Sequence, residues 1–193
     1  MSSRDFLKDR REALEEEFFH KLQEQQLAAL RTELDRKATR EELRTSCGIA
    51  DDAVLDQLVE LGVSGSTMAA LSMVPLVSVA WADGEVQDRE RTAVLKAAHE
   101  RGVDEKGPAH SLLAGWLARR PSPQLFDAWA SYTRALAATL VPSQRVQLRQ
   151  QIAGMARKVA ESAGGFLGLG KIGQQEEATL AAIAAVFDDP TAP

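Results

Sequence analysis

The apolar residues of this chain recur at helical spacing almost throughout. Residues 4–37 carry Leu14, Phe18, Leu22, Leu27, Leu30 and Leu34 at intervals of three to five. That period predicts a long, charge-dense helix with one narrow apolar stripe, suited to packing along a domain or against another chain. Thr39-Arg40-Glu41-Glu42 has the form of a capping box and predicts a new, short helix, stopped by Cys47-Gly48. Asp51 or Asp52 caps the next helix, which ends at Gly62. A central buried helix is predicted from Thr67 to Trp81, kinked or opened at Pro75. Asp88 then starts a helix to Arg101 with Gly102 behind it, and Pro108 opens another that ends before Pro121. Further helices are expected over 122–140, 142–162 and 174–187. Residues 163–170 form a glycine-rich loop, and 189–193 a frayed tail. No segment reads as a strand. The expectation is an all-α protein: a helical domain over 38–188 behind a long N-terminal helical extension, 1–37.

Residues 63–82 contain no charged side chain over twenty positions, the length of a membrane span. Ser64, Gly65, Ser66, Thr67, Ser72, Pro75 and Ser78 interrupt it, and acids rather than bases flank it. A buried helix fits better.

Composition narrows the function classes. Of 193 residues 45% are hydrophobic and 26% charged, enough for a core without staples. One cysteine, Cys47, excludes an internal disulfide framework and a Cys-based zinc finger, and three histidines leave no His-rich metal site. A net charge of −5 argues against nucleic-acid binding. The first residues, MSSRDFLKDRREALEEE, are charged and lack the apolar core of a secretory signal, which points to the cytoplasm. Charge is also uneven. Residues 45–88 hold seven acids and no Lys or Arg, a field that suits a cation, a basic partner or simply solvated helix caps. Residues 119–158 hold seven bases and one acid, a face for an anionic surface, for the acidic stretch, or for solvent.

Chemistry concentrates in Val79-Ala80-Trp81-Ala82-Asp83-Gly84-Glu85-Val86-Gln87-Asp88-Arg89-Glu90. Laid on a twelve-residue calcium loop, Asp83 falls at position 5, Gly84 at the sharp turn, the Glu85 carbonyl at position 7 and Glu90 at the bidentate position 12. Val79 and Trp81 occupy positions 1 and 3 and cannot ligate, so the match covers half of the loop. An Asp-Gly turn leading into a helix with acids in its first turn explains the same residues without a metal. The segment has an echo. Val159-Ala160-Glu161-Ser162-Ala163 and Gly170-Lys171-Ile172-Gly173-Gln174-Gln175-Glu176 follow its order on either side of a glycine insertion, pairing Asp83 with Ala163, Glu85 with Lys171 and Glu90 with Glu176. If the two loops meet, Glu176 completes the first site.

VAWADGEVQDRER, between an uncharged helix and the next one, resembles the tellurite-resistance TerB-like family over residues 64–188. The resemblance implies a compact bundle of about seven helices. It also implies an acidic divalent-metal site near paired loops, and a stress-response or interaction role rather than catalysis. Asp83, Glu85 and Glu90 match its acidic positions in the first loop and Glu176 in the second; the second loop lacks the aspartate and carries the insertion GFLGLGK. The cation would be Ca²⁺, Mg²⁺, Mn²⁺ or Zn²⁺, and the partner a protein, including a second copy joined through residues 1–37. A purely structural adaptor without metal is the alternative.

The remaining motifs are weaker. The 164–171 loop lacks the phosphate-loop pattern, since Ile172 follows Lys171, and its Phe166 and Leu167 suit apolar docking or peripheral lipid contact. No nucleophile–base pair is evident, so no enzyme activity is expected.

Overall fold

The structure, a computed structural model, describes residues 31–46, 48, 51–163 and 172–188. It divides into two units, 1–41 and 42–193. Most of the expected helix over 4–37, the residue Cys47, the 164–170 loop and the 189–193 tail lie outside the described residues.

The first unit is described over 31–41, where every residue is helical and Leu34 is 59% exposed. The helix, α1, runs through 31–46 without a break. This corrects the expected restart at Thr39. Nothing between Asp35 and Thr39 breaks a helix, and Thr39 Oγ1 satisfies itself by donating to the Asp35 carbonyl one turn back, at 2.9 Å. Gly48 ends the element at φ +69°, its N–H returning to the Arg44 carbonyl at 3.0 Å.

The second unit is all-α, with no strand among the described residues. After α1 come α2 (Asp52–Glu60), a 3-10 turn (Gly65–Thr67), α3 (Met68–Leu71), α4 (Val74–Ala80), α5 (Asp88–Glu100), α6 (Pro108–Ala118), α7 (Gln124–Thr139), α8 (Pro142–Ala163) and α9 (Gln174–Ala185). Asp51 caps α2, its side chain accepting from the N–H groups of Ala53 and Val54. The single helix expected over 67–81 is instead a 3-10 turn and two short helices. Pro75 sits in the first turn of α4 and has no N–H, and its ring would strike the Leu71 carbonyl, so the chain breaks at Ser72–Met73.

Helix α4 is the centre of the unit and packs against α5, α6, α7, α8 and α9. Six of its seven residues are buried: Val74, Pro75, Leu76, Val77, Val79 and Ala80. Its lack of charge follows from this position. Helix α5 buries the row Glu90, Val94, Ala98, and α8 buries Ile152, Ala156, Val159 and Ala160. No helix among the described residues is long and apolar enough to cross a membrane.

The α4–α5 and α8–α9 hairpins form a quartet. The packed pairs are α4–α5, α8–α9, α4–α8, α5–α8 and α4–α9. Exchanging α4 with α8 and α5 with α9 maps this set onto itself. The weak sequence echo therefore falls on two helical hairpins with matching packing partners.

Candidate functional site

The α4–α5 corner brings the first three acids into place. Trp81 closes α4, and Gly84 turns the chain at φ +104°, a conformation that favours glycine. Asp83 Oδ1 accepts from the Glu85 N–H at 3.2 Å, an Asx turn that orders the loop. The N-cap of α5 is Gln87 rather than Asp88, which lies inside the first turn. Extended backbone at Gln87 (φ −74°, ψ 155°) leaves its N–H free to meet Glu90 Oε2 at 2.8 Å.

Glu90 is 2% exposed, although Asp83 and Glu85 lie on the surface. Its position explains this. It stands four residues before Val94 and eight before Ala98, on the row that α5 turns to the core. Its second oxygen has no hydrogen bond among the described residues, and the atom is not sealed from solvent. The Glu90 carboxyl is raised from 4.5 to about 7. Burial is the main cause. The bond from Gln87 opposes it, and the charges of Asp83, Glu176 and Glu85 add to it.

The start of α9 repeats the device. Glu176 Oε2 accepts from the Gly173 N–H at 2.5 Å, as Glu90 does from Gln87, and Glu176 stands four residues before the buried Leu180. Glu90 and Glu176 thus occupy the same place in the first turns of α5 and α9, and the charge of Glu176 acts on Glu90. Asp83, Glu85 and Glu176, the other acids singled out by spacing and echo, lie near enough for their charges to act on Glu90. Among the described residues no three His, Cys, Asp or Glu side chains are grouped so that they could hold a metal ion. The donor type nevertheless suits a hard cation: all four are carboxylates, and the neighbouring charges add to the burial that disfavours ionisation of Glu90.

Two residues that hold the first corner escaped the sequence reading. Trp81 Nε1 donates to the Trp116 carbonyl at 2.8 Å, and Arg91 Nη2 to the Leu117 carbonyl at 3.0 Å. Both carbonyls belong to the last turn of α6, where the helix has no partner of its own to offer. The only sequence signal was a donor on each side of the acidic loop. The partners lie 35 and 26 residues away.

The basic stretch is partly used at home. Arg149 pairs with Asp188 at 2.5 Å and Arg157 with Glu177 at 3.6 Å, both exposed contacts of small energetic weight. Neither reaches the acidic 45–88 segment.

A raised carboxyl reverses the usual pH dependence of an acid. Between pH 4.5 and about 7 the folded chain holds a proton on Glu90 that the unfolded chain has lost. Stability therefore rises as pH falls from about 7 toward 4.5. Without divalent cations, Glu90→Gln keeps an acceptor for the Gln87 N–H and removes the buried charge. The substitution should flatten this slope and stabilise the protein at pH 7.5 by on the order of 1 kcal/mol, allowing for solvent screening. Denaturant titrations at several pH values check it.

Comparison of the chain with protein-family models, with curated proteins and with solved structures finds no match.

Proposed function

We propose that this chain is a non-enzymatic helical protein of the TerB-like kind. It acts in the cytoplasm as a stress-response interaction module and takes a divalent cation between its two corners. The observation that supports this most is the convergence on Glu90 of the charges of Asp83, Glu85 and Glu176, from elements separated by more than half of the second unit. A bound cation would supply charge neutralisation and cross-link α5 to α9. The chain's own part is to present Asp83 and Glu85 on the turn and Glu90 and Glu176 at the two N-terminal turns.

Calorimetric titration with Mn²⁺ tests this reading. It predicts about one ion per chain, and none for the double variant Asp83→Ala, Glu90→Ala. No uptake by the native chain would overturn it.

One observation favours the adaptor reading instead. Leu34 is 59% exposed on α1 and belongs to the apolar stripe expected over residues 4–37, which suits a partner helix. In that case removing residues 1–37 lowers the mass of the protein in solution and Mn²⁺ has no effect.

A further inference from the structure

Away from the carboxylates, α4, α7, α9 and the loop between α6 and α7 enclose an open apolar cavity of about 640 Å³. Its walls include Val77, Trp81, Leu125, Phe126 and Ala182. Trp81 is fixed by the bond from its Nε1 to the Trp116 carbonyl, so the polar edge of the indole is spent and the ring offers apolar surface. Phe126 is braced by Trp129, with ring centroids 5.2 Å apart. Both aromatic walls are therefore held in place before any ligand arrives. Ala182 adds a small side chain where a larger one would fill the space.

The polar side chains of the lining are Ser78, Thr179, Ser122 and Arg120. The Ser78 hydroxyl donates to the Val74 carbonyl and the Thr179 hydroxyl to the Gln175 carbonyl, each at 2.9 Å, so both are satisfied within their own helices. Arg120 is the one charged side chain on the lining among the described residues, and it has no hydrogen-bond or ion-pair partner there. It lies just before α7, whose positive end faces the same rim.

An apolar chamber with one free guanidinium at its mouth has the chemistry of a site for a small amphipathic anion. The volume lies in the range of small-molecule sites, roughly 300–1,000 Å³. The geometry points to a binding site for a medium-chain or aryl-alkyl carboxylate, with the tail between Trp81 and Phe126 and the carboxylate on Arg120. This site is separate from the acidic cluster, and the inference does not depend on a metal.

Tryptophan emission, to which Trp81 on the wall contributes beside Trp116 and Trp129, supplies the readout. The full chain, free of divalent cations, is titrated with decanoate and with decan-1-ol while tryptophan emission is followed. Saturable binding is expected for both, with decanoate about tenfold tighter, the worth of a charge-assisted hydrogen bond. Arg120→Gln should remove that preference and leave decanol binding unchanged. Ala182→Leu should weaken both ligands at least about tenfold by filling the chamber. Melting curves of both variants show whether the fold is kept, and Ala178→Leu serves as a second filling variant should Ala182→Leu melt early. No saturable response to either ligand in the native chain would overturn the proposal. So would equal affinity for the acid and the alcohol, or a tryptophan signal that depends on protein concentration alone, which would assign the chamber to a second copy.

Discussion

Millimolar Mn²⁺ or Ca²⁺ is expected to raise the melting temperature of the native chain, and the rise is expected to disappear when Asp83 and Glu90 are both replaced by alanine. The size follows from mass action. A cation at a hundred times its dissociation constant stabilises the folded state by about 2.7 kcal/mol. For a chain of this length each kcal/mol moves the midpoint by roughly 2–4 °C, so a shift of about 5–10 °C is expected. The physical source is the strain visible without the ion: Glu90 is buried beside three other acids and holds its proton up to about 7. A cation replaces that proton and removes the repulsion, so the shift should shrink as pH falls below 7. Differential scanning fluorimetry at pH 6 and pH 8 reads both effects. Equal melting of the native chain and the double variant at every cation concentration would reduce the corner to an Asx turn with a capped helix behind it.

The second large effect concerns the helix that holds the site. Leu76→Ala is expected to cost about 2–5 kcal/mol, through lost burial and the cavity left behind. Leu76 is fully buried at the middle of α4, the helix on which five others pack, so the surroundings have little freedom to collapse into the gap. The exposed Ser72, just before α4, is the control, and its replacement by alanine should change stability by no more than about 0.5 kcal/mol. Urea unfolding monitored by circular dichroism separates the two. An equal, small effect for both would show that α4 is not the keystone of the bundle.

The helices were legible because their buried rows follow the period of 3.6, and because glycine marks their ends. Gly62, Gly84 and Gly102 all have positive φ where the chain turns. The first-turn places of Glu90 and Glu176 follow a related pattern. Glu90 and Glu176 each stand four residues before a buried apolar position, so a local pattern places both on the inward face. The echo between the two stretches matches the packing of α4–α5 and α8–α9 against each other.

Two features were not legible. The break at Ser72–Met73 depends on where the strain from Pro75 is released, and an apolar run shows a helix without showing its joints. The bonds from Trp81 and Arg91 to the end of α6 depend on tertiary geometry, and nothing in the spacing of a tryptophan and an arginine names a carbonyl 26 or more residues away. Thr39 misled for a third reason: a threonine followed by two glutamates resembles a cap, yet its hydroxyl is equally satisfied by the preceding turn of a continuing helix.

Glu176 is the residue whose role depends most on the two corners acting together, since no local turn links it to Asp83. Calorimetric titration of Glu176→Gln with Mn²⁺ is therefore the most direct measurement. A fall in affinity of about tenfold or more, with the melting temperature of the ion-free variant held or raised, is the predicted result. Mn²⁺ uptake identical to that of the native chain would contradict a shared site.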